Sequence, residues 1–376
     1  MRVLIDYRPA LRERSGAGEY THQLARALLA SARVNLTIFS SSWKDRLAPG
    51  AELAGAALID RRMPVRLLNL LWHRAGWPSI ETLSSRTFDV AHSSHPLLMP
   101  SREAAQVVTI HDLNFLSHPE RTRAEVRRDY PALARSHAQR ADAIIVPSAF
   151  TAREVERRLD VAPDRIAVCP HGAPDWTPRA ALPKDGYVLF FSTLEPRKNV
   201  GGLLDAYESY IASGFSRIAP VPELVLAGKA TDEAGPWLER IARPPLKGFV
   251  RHIGYVEPAA RRALYDRARL LVMPSFEEGF GIPVLEAMTA GVPVVAADRG
   301  SLPEVLGDAG PLVDPDRPQE IAAAITQVLQ NDAYAADCVR RGLVRAGEFR
   351  WDRTVQRVVG AYEQAIERRR RRGRAA

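Results

Sequence analysis

The chain has 376 residues, 46% hydrophobic and 26% charged, which excludes a disordered or fibrous protein and leaves room for two α/β domains. Net charge is +8 at pH 7, but six of the positive charges are Arg368, Arg369, Arg370, Arg371, Arg372 and Arg374, so the body is nearly neutral and no sequence-reading nucleic-acid surface is expected. Two cysteines without a C-x-x-C exclude a disulfide framework or zinc ribbon, and no run approaches the ~20 apolar residues of a membrane span. These features fit a reducing cytoplasm, with the protein in solution or on the inner face of the cell membrane.

Residues 3–6 (VLID) open the chain as a strand, in a run too short for a signal-peptide core. A helix follows over 20–31, then a strand over 34–39. Further strands are expected at 88–92, 107–111 and 143–147, with helices at 124–141 and 148–159. Residues 170–184 hold four prolines and one glycine, have no period, and read as a linker. The alternation then restarts. Strands are expected at 187–192, 223–228, 251–254, 270–273 and 292–296, and helices at 200–212, 259–267 and 354–372. This order predicts two Rossmann-like domains with parallel sheets, 1–175 and 176–353. Residues 354–376 form a C-terminal helix and basic tail able to cross back to the first domain. Ligands of such tandem halves bind in a cleft at the carboxyl ends of the strands.

The segment FEEGFGIPVLEAMTAGVPV, residues 276–294, carries the most chemistry. It reads as a strand end, a glycine turn at Gly279 and Gly281 around Phe280, and a helix with Pro283 in its first turn. The glycines let backbone approach a ligand, and the helix start suits a phosphate. Glu278 and Glu286 bracket this turn. Carboxylates repel phosphate but accept hydrogen bonds from sugar hydroxyls. Two of them around one phosphate site suggest a ligand with a sugar on each side of a diphosphate, the layout of a nucleotide-sugar.

The same segment resembles the E-x7-E signature of the family 4 retaining glycosyltransferases, which have the GT-B fold. The downstream stretch AGVPVVAADRGSLPEVLGDAGPLVDPDRPQEIAAAI continues the likeness. The resemblance implies that Glu278 contacts the transferred hexose and Glu286 the ribose. In FSTLEPRKN, residues 191–199, Lys198 matches the family lysine that neutralises the leaving diphosphate. Thr193 stands where the family usually has arginine; adjacent Arg197 either substitutes for it or pairs with a surface carboxylate. Gly16 and Gly18, in SGAGEY, match a glycine loop over the donor diphosphate or the acceptor; the plain reading is a tight turn. His111, at the end of a strand, resembles a histidine that orients the donor hexose; the plain reading is a buried histidine holding a loop.

The start RVLIDYRPALRERSGAGEYT and the variant TLEPRKN look most like bacterial mannosyltransferases of surface-polysaccharide and lipopolysaccharide synthesis. The implied donor is GDP-mannose, a substrate, with no cofactor and no metal. The implied acceptor is a glycan or polyprenyl-linked saccharide. Asp314-Pro315-Asp316 spells D-x-D but reads as a capping turn. The terminal arginines are either a frayed, solvated end or a contact with anionic lipid. Residues 61–77 (RRMPVRLLNLLWHRAGW) read as a core helix with an exposed basic face, or as an acceptor-side or membrane-facing patch. Alternatives stay open at this point: hexosyl transfer from a UDP-sugar, a sugar-nucleotide epimerase on the same fold, and a non-catalytic nucleotide-sugar-binding subunit.

Overall fold

A computed structural model describes residues 1–11, 14, 16–47, 50–117, 130–213 and 221–375. The chain forms two compact units, Met1–Gly172 with Arg350–Ala376, and Ala173–Phe349.

The first unit is built on seven parallel strands: β1 (Arg2–Asp6), β2 (Asn35–Ser41), β3 (Ala57–Arg61), β4 (Val90–Ser93), β5 (Ala105–Thr109), β6 (Ala143–Val146) and β7 (Ile166–Val168), in the order β3-β2-β1-β4-β5-β6-β7. Alternate residues feed opposite faces, as a sheet covered on both sides requires. Val3, Ile5, Ala143 and Ile145 pack on helices Ala17–Ala30 and Trp351–Ala375. Ile144 and Val146 face Val155 and Leu159 of helix Ala149–Leu159. Leu4 joins Phe39, Leu68 and Trp72, the last two from helix Val65–Ala75. The expected strands and helices appear within a few residues. The exceptions are β3 and β7, which the hydrophobic pattern did not signal. Of the helix expected over 124–141, residues 124–129 lie outside the described residues, and the remainder is helix Tyr130–Arg140.

Helix Trp351–Ala375 runs through the basic stretch, so of the two readings left open for it the frayed end does not hold: the stretch is helical to Ala375. Tyr362 Oη lies 2.7 Å from His92 Nδ1 beneath the sheet. Arg368 donates to Asp142 O at 2.8 Å and to Asp164 Oδ2 at 2.9 Å, Arg369 to Arg102 O at 2.8 Å, and Arg372 to Asp142 Oδ1 at 3.1 Å. Three of the six arginines are thus committed to holding the helix on its own unit.

The second unit has six parallel strands: β8 (Tyr187–Phe191), β9 (Leu224–Ala227), β10 (Val250–Gly254), β11 (Ala268–Met273), β12 (Val294–Ala297) and β13 (Leu312–Val313), in the order β10-β9-β8-β11-β12-β13. Val188, Phe190, Leu270 and Val272 face helices Val200–Ala212 and Pro318–Gln330. Leu189, Leu271 and Met273 face helix Ile282–Ala290. The stretch read as a linker is pinned to this unit. Arg179 donates from Nε to Gly291 O at 3.0 Å and from Nη1 to Ala268 O at 2.5 Å.

Candidate active site

In the second unit the strand order reverses direction between β8 and β11, the switch point at which α/β sheets bind ligands at their carboxyl ends. The loops leaving these two strands carry Lys198 and Glu278. After β8 the chain is fastened to the loop after β9: Leu194 N–H donates to Lys229 O at 2.8 Å, and Thr231 Oγ1 donates to Leu194 O at 2.7 Å. A short turn, Pro196–Lys198, follows. Asn199 then takes a left-handed conformation (φ 56°) and caps helix Val200–Ala212 by accepting from Gly202 N–H at 3.1 Å. This turn aims Lys198 inward.

The Lys198 ammonium, 6% exposed, donates to Glu278 Oε1 at 2.6 Å, joining residues 80 apart in sequence. Ser275 Oγ donates to the same oxygen at 2.9 Å. Burial pulls the lysine pKa down, and the Arg197 charge adds to this; Glu278 and Glu195 oppose both, and the net direction is downward. Of the two readings raised from the sequence, the contacts of Arg197 match the pairing with a carboxylate, and they also place its guanidinium beside Glu278. The arginine Nε donates to Glu195 Oε1 at 2.6 Å, while Nη1 reaches Glu277 O at 3.3 Å and lies 3.9 Å from Glu278 Oε2. Thr193 lies partly buried in the loop after β8.

Backbone contacts fix the position of Glu278. Its carbonyl accepts from Ser301 Oγ at 2.9 Å and Ser301 N–H at 3.1 Å. Gly300 (φ +64°) comes so close that an added Cβ would lie 2.7 Å from the Glu278 carbonyl oxygen. Gly279 is buried beside it, and Phe280 is buried in the core against Phe349, with ring centroids 5.8 Å apart. What Phe280 can offer a ligand is therefore backbone.

Gly281 (φ 97°) starts helix Ile282–Ala290 without a side-chain cap. Pro283 has no N–H, and Val284 and Leu285 N–H donate to Gly281 O at 3.0 and 3.3 Å. Of the first-turn amides, only that of Ile282 has no partner within the helix. The anion-facing donors of this turn are thus fewer than a general helix start provides.

Glu286 points to helix Pro258–Asp266. Its Oε2 accepts from Tyr265 Oη at 2.8 Å, and Oε1 lies 3.6 Å from Arg261 Nη1. Tyr265 and Arg261 are one helical turn apart, so a single helix face holds the carboxylate. Burial, then the neighbouring Glu286 charge, keeps the Tyr265 hydroxyl protonated well above its ordinary range. The sequence reading missed Tyr265, Arg261, Ser275 and Ser301. An i, i+4 Arg–Tyr pair within the expected helix 259–267 was the available signal, but its partner is known only once the helices pack.

The first unit holds the other candidates. His111 follows β5, and its Nε2 lies 3.2 Å from Ser94 O, so Nε2 carries the proton. Burial lowers its pKa to about 4, leaving a neutral ring. Tyr20 packs edge-on to His111 at 4.9 Å and to His171 at 4.7 Å. Gly16 ends the turn before helix Ala17–Ala30, and its carbonyl accepts from Tyr20 N–H at 3.0 Å. Ser15, before it, lies outside the described residues. A Cβ on Gly18 would meet Pro9 O at 2.6 Å, so this glycine has a packing reason as well.

Asp314 behaves as a turn residue: its Oδ1 accepts from Asp316 N–H at 3.1 Å and from Arg299 at 3.0 Å. Among the described residues no group of three or more His, Cys, Asp or Glu could hold a metal ion, and no helix is long and apolar enough to cross a membrane.

The family model described as Glycosyltransferase Family 4 matches residues 14–175, and that described as Glycosyl transferases group 1 matches residues 185–331. The chain is 30% identical to the O-antigen chain mannosyltransferase B of Escherichia coli, over 96% of this chain and 100% of that one. Among solved structures, sucrose-phosphate synthase from Thermosynechococcus elongatus superposes with a TM-score of 0.76 at 19% identity, covering 97% of this chain and 98% of that one. HepE from Anabaena, in complex with UDP-glucose, gives 0.69 at 17% identity, covering 96% and 98%. These superpositions show the fold, two Rossmann-like units of the GT-B class. Taken with the family matches and the full-length identity, they make the chain a family 4 glycosyltransferase.

Proposed function

We propose that the chain transfers mannose from GDP-mannose to a glycan or lipid-linked saccharide, with retention of anomeric configuration. The observation that carries this reading is the buried Lys198–Glu278 pair at the switch point of the second unit, 2.6 Å apart. It joins one cation suited to phosphate with one carboxylate suited to a hexose hydroxyl. Breaking the bond between sugar and diphosphate builds negative charge on the leaving group. A fixed ammonium in a buried site stabilises that charge without reorganisation. As the diphosphate takes up the ammonium, Glu278 is released to accept from the hexose, and Arg197 lies close enough to share either role. Glu286, oriented by Tyr265 and Arg261, is the ribose acceptor in this reading. The same reading extends to His111 as a hexose contact, and to Gly16 and Gly18 as phosphate contacts, on the family resemblance alone.

Mannose rests on the similarity to the E. coli mannosyltransferase. Retention rests on the family. The test is a panel of nucleotide-sugars assayed for nucleoside diphosphate release, with and without a crude lipid-linked acceptor. GDP-mannose is expected to give the highest kcat/KM, and release is expected to depend on acceptor. A preference for UDP-glucose would move the donor. Conversion of the nucleotide-sugar without any acceptor would favour an epimerase.

A further inference from the structure

We propose that helix Val65–Ala75 and the loop at Trp43 form a face by which the first unit lies on an anionic lipid surface. The helix has two unlike sides. Inward, Leu68 and Trp72 are buried, Trp72 donates from its indole to Pro78 O at 2.9 Å, and Arg8 lies 4.6 Å over the Trp72 ring. Outward, Leu67 is 47% exposed and Leu70 56%, with Trp77 just beyond the helix at 55% and Trp43 at 69%. Leu67, Leu70 and Arg74 recur at helical spacing and form one stripe. Trp43 belongs to the same rim, because Ser42 N–H donates to Arg61 O at 3.2 Å.

Charge selects the occupant. Residues 61–80 contain four arginines, Arg61, Arg62, Arg66 and Arg74, and no acid. All four are exposed. The preceding acid, Asp60, is engaged by Arg46 at 2.7 Å and by Ser40 Oγ at 2.8 Å. Exposed leucines and tryptophans amid arginine match the interfacial region of a bilayer with anionic headgroups, where indole rings and arginines settle at headgroup level.

The basic C-terminal helix lacks this combination. Arg368 binds Asp164 and Arg372 binds Asp142, and none of the exposed large hydrophobic residues falls between 351 and 375 among the described residues. It can add attraction but nothing to insert. The inner side of helix Val65–Ala75 also reaches the carboxyl end of β1, where Asn69 Oδ1 accepts from Arg8 at 2.9 Å. If the proposed reaction is right, a lipid-linked acceptor in the same membrane would meet the protein on this side.

The test is co-sedimentation of the full chain with vesicles of phosphatidylcholine alone, or of phosphatidylcholine and phosphatidylglycerol in equal parts. Wild type should partition onto the anionic vesicles only. Leu67→Glu with Leu70→Glu, and separately Leu67→Ser with Leu70→Ser, should lower that partitioning by about tenfold or more. Arg370→Gln with Arg371→Gln and Arg374→Gln should lower it by less than about threefold. Thermal unfolding checks that the exposed substitutions leave the fold intact. Wild type remaining in solution with anionic vesicles would overturn the proposal and leave the face to a protein partner. So would leucine variants that sediment like wild type, or loss confined to the tail variant. Nucleoside diphosphate release from GDP-mannose with crude lipid-linked acceptor, and without the test vesicles, reads the reaction separately: a chain that binds vesicles yet turns over no nucleotide-sugar in the presence of that acceptor refutes the reaction and keeps the surface.

Discussion

The two units share a strand order, and each buries an acid–cation pair near its switch point, but the pairs are built differently. In the first unit Asp6 ends β1, and Arg8, two residues on, reaches it from N, Nε and Nη2 at 3.1, 2.8 and 2.6 Å. His95 Nε2 adds a contact at 3.2 Å, and Arg8 is covered by Trp72. Burial raises the Asp6 pKa, but the Arg8 charge and these hydrogen bonds outweigh it and hold the carboxyl below the usual range. That pair is local and fixes a loop. The second unit joins Lys198 and Glu278 from two loops, so folding itself creates the juxtaposition. A local pair stabilises; a long-range pair at a strand-order reversal assembles a site.

The largest expected effect breaks the local pair. Asp6→Ala leaves the Arg8 charge without its acid and should cost about 3–5 kcal/mol of stability. Denaturant unfolding measures it; a loss below about 1 kcal/mol would mean that the two pairs are not so different. In the second unit, Glu286→Ala should weaken nucleoside diphosphate binding by about 1–3 kcal/mol in calorimetry. Tyr265→Phe should weaken it less, because Arg261 still faces the carboxylate. Equal affinities in all three proteins would remove Glu286 from the ribose. A further effect, spread gradually over several pH units, is a slope of stability with pH. Burial lowers His92 to about 3 and His111 to about 4. Both bind fewer protons folded than unfolded between those values and about 6.5. Stability should therefore fall as pH drops through this window, by up to ~1.4 kcal/mol per unit for each histidine. His92→Asn should flatten that slope, and an unchanged slope would show that other groups carry it.

The sequence made the alternation of strands and helices legible because the buried strands are β-branched runs between punctuating prolines and glycines. It concealed β3, whose five residues include Asp60 and Arg61, and β7, which has only three residues. Edge strands this short give no period to read. Glu278, Glu286 and Lys198 stood out because a glycine turn and fixed spacing mark them. Tyr265, Arg261 and Ser275 did not, since each acts through a contact that only packing creates. The helix at Ile282 offers another lesson: Pro283 and the Gly281 carbonyl use up first-turn donors that the pattern alone credits to a phosphate.

Lys198→Ala tests the central claim most directly, through steady-state release of nucleoside diphosphate from the preferred donor, with thermal unfolding recorded alongside. Turnover should fall by ~10²-fold or more in protein that remains folded, the scale for losing one transition-state charge stabiliser. Turnover within a few-fold of wild type would contradict the assignment of the buried ammonium to the leaving diphosphate.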